Sequence, residues 1–166
     1  MNFYTMLWPN EYCRYVEKNG GVGKPLRFVW GGHNRQSDFG FFGVKPGDVI
    51  IPVRVQDGRL FVIGNLTVRE CIQPEEYVAA NPTHERFIQN PCANQVLVSE
   101  EGAPIRFDIV APTATLQILR FKSNSSKNER AVQLIEDGKL KNTVGFQGIY
   151  RLTEDSAVAL LALLDT

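Results

Sequence analysis

Cysteine is scarce in this 166-residue sequence: Cys13, Cys71 and Cys92 are odd in number, far apart and never in a CxxC pair. That excludes a disulfide framework and a zinc quartet, and the expected state is reduced thiols in a cytoplasmic compartment. Surplus charge is also missing, since 18 lysines and arginines balance 18 aspartates and glutamates. A domain that coats nucleic acid by bulk charge is therefore excluded, although a local basic patch is not. No apolar run reaches membrane-spanning length, and the start, Met1 to Trp8, lacks the basic and apolar regions of a signal peptide. A membrane partner is accordingly not expected. Gly20-Gly21-Val22-Gly23-Lys24 imitates a phosphate loop, but it follows a helical segment and lacks the Gly-Lys-Ser/Thr spacing. Without a glycine-rich strand-to-helix turn, a doubly wound nucleotide fold is excluded. No internal repeat or low-complexity segment occurs.

What the chain does have is a long alternating hairpin. Val49 to Gln56 runs into Asp57-Gly58 and returns as Arg59 to Glu70. Asp-Gly favours the two positive φ angles of a type I′ turn, so Gln56 should oppose Arg59, Val55 Leu60 and Val53 Val62. That register puts Val49, Ile51, Val53, Val55, Leu60, Val62, Leu66 and Val68 on one buried face. Arg54, Gln56, Arg59, Phe61, Asn65, Thr67 and Arg69 fall on the other, making the hairpin half-buried. Pro52 cannot donate to the ladder and is expected at a bulge or with its nitrogen turned away from its partner.

Around the hairpin, Phe3 to Leu7 and Leu26 to Trp30 read as strands. Glu11 to Lys18 reads as a helix begun by Pro9 or Asn10, with Tyr12, Tyr15 and Val16 on a packing face. Pro74 to Ala80 is a second helix, with a short one at Thr83 to Ile88. Val96 to Val98 and Ile105 to Val110 are strands, while Leu116 to Phe121 is strand or helix. Asn128 to Asp137 has Ala131, Leu134 and Ile135 at helical spacing, with Gly138 as its stop. Gly145 to Leu152 is a last strand. Thr153 then caps a helix over Glu154 to Leu164, apolar on all sides and hence expected to be largely buried. Strands with short helices and no βαβ alternation give an α+β fold built on a curled sheet or open barrel.

Three groups of residues resemble the EVE and YTH-type domains of the PUA-like superfamily. They are Tyr4 to Tyr12 with its Pro9-Asn10-Glu11-Tyr12, Trp30-Gly31 through Asn34-Arg35-Gln36, and Lys45-Pro46-Gly47-Asp48 leading to a strand with Ile63-Gly64. The resemblance covers about the first 70 residues of the 166, and it implies one PUA-like domain over 1–166 with an extended C-terminal half. Gly32-His33 stands where the family has Val-Arg. The resemblance also implies a non-catalytic reader of RNA or modified DNA that takes a flipped base into an aromatic pocket, with no cofactor.

Stacking needs flat aromatic surfaces and base reading needs fixed polar groups. Trp8, Trp30 and Tyr4 are candidate surfaces and His33 and Asn34 candidate readers, while Arg35, with Arg14 or Arg27, is a candidate phosphate contact. The alternative is a protein-interaction or small-ligand module on the same scaffold, favoured by the neutral charge. Catalysis by Cys13, His33 and Asp38 lacks an activating motif, and metal binding by Cys92 and His84 lacks ligands. The pairs Glu75-Glu76 and Glu100-Glu101 read as solvated.

Overall fold

A computed structural model describes residues 1–31, 38–88, 93–99, 101–123, 128–135 and 137–166. The chain is mixed α+β. A larger sheet, curled like half a barrel, contains β1 (Phe3–Leu7), β3 (Val49–Gln56), β4 (Arg59–Val62), β5 (Leu66–Thr67), β8 (Arg120–Lys122), β9 (Glu129–Ala131) and β10 (Ile149–Leu152). Its order is β4-β3-β1-β10-β8-β9, with β5 also on β3. A smaller sheet orders β2 (Phe28–Gly31), β7 (Gln95–Val98) and β6 (Glu70–Ile72) as β2-β7-β6. The helices are α1 (Asn10–Lys18), α2 (Pro74–Ala80), α3 (Thr113–Ile118) and α4 (Glu154–Leu164), with 3₁₀ turns at Pro82–Phe87 and Val144–Phe146. β1 runs parallel to β3 and antiparallel to β10.

The Asp57-Gly58 turn has φ of 53° and 73°, and Val53, Val55 and Gln56 face Val62, Leu60 and Arg59 as the turn chemistry requires. Further along, however, Ile50 faces Leu66. From 50 to 53 on β3, the returning chain spends one extra residue between 62 and 66. This bulge turns Leu66 and Val68 to the opposite side of the sheet from Val62. Pro52 sits opposite it, where its carbonyl accepts from the Ile63 amide at 3.0 Å and no amide is demanded of it.

Around Arg54 the polar face of the hairpin is also covered, because α1 lies over it there, while Arg59, Thr67 and Arg69 stay exposed. One core packs Val49, Ile51, Val53 and Val55 against Leu60, Val62, Phe121 and Leu160. The other packs Ile50 with Tyr4, Trp8, Cys13, Leu26, Ile63 and Leu66. Arg54, expected on a wet face, is buried. Its Nε donates to Asn10 Oδ1 at 2.6 Å, and its Nη1 meets Glu17 at 3.3 Å. Asn10 in turn donates to the Val55 carbonyl, locking α1 onto β3.

Other sequence readings fail too. Residues 105–110 form no regular strand, because the segment straddles the bulge: the Ile105 amide bonds to Lys24, the Arg106 amide to Ile63, and the Ile109 carbonyl to Val62. Ile105 and Ile109 thereby enter different cores. The expected helix at 128–137 is instead β9 followed by a bridge between Leu134 and Leu140. Val132 and Leu134 face the core at strand spacing, Ile135 is 47% exposed, and Gly138 (φ 80°) serves a turn. Leu116 to Phe121 divides into α3 and β8. α4 begins at its Thr153 cap, but only Ser156, Ala157 and Leu160 are fully buried, and Val158 is 58% exposed.

Candidate functional site

α1 begins because Pro9 fixes φ and donates nothing, and it carries Tyr12, Cys13 and Val16 inward at helical spacing. Tyr12 stands edge-on between Trp8 and Trp30, with ring centroids 5.0 and 5.7 Å away. Its hydroxyl donates to the Phe87 carbonyl at 2.8 Å and lies 3.3 Å from the Trp30 indole N–H. The 3₁₀ turn at 82–87 is thereby bound to α1, and Phe87 reaches Tyr15 edge-on. Burial raises the Tyr12 phenol well above its ordinary range, so it remains a donor.

Between these elements and the segment 21–28 lies a cavity of about 170 Å³. Its aromatic walls are Trp8, Tyr12, Phe28, Phe87 and the imidazole of His84, closed by Val16, Leu26 and Ile105. Lys24 and Arg27 also line it and are exposed. The arrangement offers flat apolar surfaces for a planar group and two cations for an anion.

The proposed site residues are distributed unevenly. Trp8 lines this cavity, though it is only 6% exposed and belongs to the core. Trp30 is half-buried behind Tyr12 and is not among the lining residues. Tyr4 is buried, with its hydroxyl on the Phe42 carbonyl at 3.1 Å. Arg14 is an exposed residue of α1 and not part of the lining, whereas Arg27 is. His33, Asn34 and Arg35 lie outside the described residues. Sequence reasoning missed Phe28, Phe87 and His84, which converge only through tertiary packing. The available signal was the aromatic spacing of Trp8 and Tyr12 into α1.

Cys13 is fully buried, and burial pushes its thiol up to about 12, so it is no nucleophile at neutral pH. Among the described residues no group of three or more His, Cys, Asp or Glu side chains could hold a metal ion. Nor is any helix among them long and apolar enough to cross a membrane.

His84 is held below its ordinary value of 6.5, chiefly by burial and then by Arg27, Lys24 and Arg86. The unfolded chain therefore takes up that proton more readily than the folded one. The resulting stability is complete above pH 6.5 and is lost as pH falls through the lower folded-state value. Urea midpoints measured down through this window should fall less steeply for His84→Phe than for the parent. Parallel curves would assign the acid limb to other groups.

No protein-family model matches this chain, and no curated protein matches it either.

Proposed function

We propose that the chain is a non-catalytic nucleic-acid reader that takes one base, modified or not, into the cavity between α1, segment 21–28 and the 82–87 turn. One observation carries this reading: aromatic walls from Trp8, Tyr12, Phe28, His84 and Phe87 meet the exposed cations of Lys24 and Arg27 in one lining. A base needs the former for stacking and its phosphate the latter. A chain of zero net charge would confine such binding to this patch. The EVE-like order of the first 70 residues points the same way, and kinship with the PUA-like superfamily is part of this proposal.

The test is fluorescence anisotropy with single-stranded RNA and DNA, unmodified and base-modified, at fixed salt. Phe87→Ala should weaken binding about tenfold, since stacking on one aromatic is worth about 1–3 kcal/mol. Arg27→Ala should chiefly flatten the salt dependence, by about 0.7 in log–log slope if one single-strand phosphate contact is lost. Binding no tighter than millimolar for every oligonucleotide, or an unchanged affinity in Phe87→Ala, would replace this reading with a protein-interaction or small-ligand module.

A further inference from the structure

His84 borders the aromatic cavity, but the residue that holds it does not. Tyr77, on α2, is 2% exposed, and its hydroxyl oxygen lies 2.7 Å from His84 Nδ1. The imidazole is also stacked on Phe28 at 5.2 Å and 17°, which fixes the plane of the ring. Two hydrogen placements fit that short contact. In one, Nδ1–H donates to the phenol oxygen, and the buried phenol O–H must then find another acceptor. Among the described residues Tyr77 has none. An orphaned buried donor is costly, so this placement is disfavoured.

In the other placement the phenol donates to an unprotonated Nδ1, and the single proton of the neutral imidazole sits on Nε2. Burial pushes the Tyr77 phenol up to about 12, which keeps its proton in place at neutral pH. Burial together with Arg27, Lys24 and Arg86 keeps the ring neutral, and among the described residues these are the charged groups that act on it. Tyr12, whose hydroxyl belongs to a residue that does line the cavity, is already committed to the Phe87 carbonyl.

We propose that Tyr77 fixes His84 as the Nε2–H tautomer and that this N–H, turned to the cavity, selects a base with a ring carbonyl over one with an amino group at the same place. The inference rests on the nucleic-acid reading above and narrows it to oxo-bearing bases. An amino group would set donor against donor, whereas a carbonyl completes the bond. Aromatic stacking is indifferent to which base is held, so the discrimination belongs to His84.

Two measurements separate failure of this inference from failure of the reading beneath it. Long-range ¹⁵N–¹H correlation on the intact chain at about pH 8, where imidazole is neutral, reads the tautomer without any ligand. His84 should show protonated Nε2 and unprotonated Nδ1, and Tyr77→Phe should shift it toward a mixture. Titration with inosine 5′-monophosphate and adenosine 5′-monophosphate then reads selection. The oxo nucleotide should bind about tenfold tighter, the scale of one hydrogen bond lost with its partner left unsatisfied. His84→Phe should bring that ratio near one. Protonated Nδ1 in the parent chain overturns the inference, as does equal affinity for two nucleotides that both bind. If neither nucleotide binds while the tautomer is Nε2–H, the nucleic-acid reading fails and selection by His84 fails with it.

Discussion

Leu160→Ala is expected to destabilise the chain by about 2–5 kcal/mol in urea unfolding. Leu160 is 0% exposed at the centre of α4, in one core with Leu116, Phe121, Leu152 and Ala157. Truncation removes apolar surface from burial and leaves a hole between α4 and the sheet that these neighbours can only partly fill. Val158→Ala on the same helix supplies the contrast. That side chain is 58% exposed, so its loss should register at a few tenths of a kcal/mol. Equal effects from the two substitutions, or a loss below half a kcal/mol for Leu160→Ala, would mean that α4 does not seal this core.

A single added methyl group at residue 102 should be nearly as damaging. A Cβ on Gly102 would collide with the Leu26 carbonyl oxygen and lie 2.9 Å from the Leu26 carbonyl carbon and 3.0 Å from the Asn65 oxygen. All three atoms are backbone, so no flexible side chain can swing aside. Gly102 is also bridged to Leu66, just beyond the hairpin bulge. Overpacking of this kind costs about 1–3 kcal/mol or more. Lys24, Pro25 and Leu26 line the aromatic cavity, so a displaced Leu26 should lower ligand affinity along with the denaturation midpoint. Gly40→Ala is the control, because among the described residues its Cβ would meet only the Asp38 carboxylate oxygen at 3.4 Å. A Gly102→Ala chain as stable as the Gly40→Ala chain would contradict the close approach.

Local chemistry made some elements legible in the sequence. Asp57-Gly58 dictated the turn and the near register, Pro9 and Pro74 the starts of α1 and α2, and Thr153 the cap of α4. Alternation failed where a non-local decision overrode it. Gly64 in the return strand and Pro52 opposite it hint at a bulge, yet neither says that the extra residue reverses Leu66 and Val68. Arg54 looked solvated because the helix that covers it is supplied from 37 residues earlier in the chain, through Glu17. In the segment 128–137, Ala131, Leu134 and Ile135 match a helical stripe as well as Val132 and Leu134 match a strand face. Pairing of β9 with β8 decides between them. The cavity was least legible, since beyond the spacing of residues 8 and 12 its walls at 28, 84 and 87 come from separate segments.

The placement of β1 has a consequence for how the chain is made. Its first ordered residues lie between β3 and β10, with Phe3 facing both Val49 and Leu152. During synthesis β1 and β3 can pair early, but the other edge of β1 waits for Ile149 to Leu152, which emerge long after β3. Until then the nascent protein carries an open strand edge, the kind that recruits stray chains. Completion of the larger sheet therefore joins segments far apart in the sequence and cannot precede the emergence of β10. A chain interrupted before residue 149 should aggregate and not fold as a shorter version of the same structure.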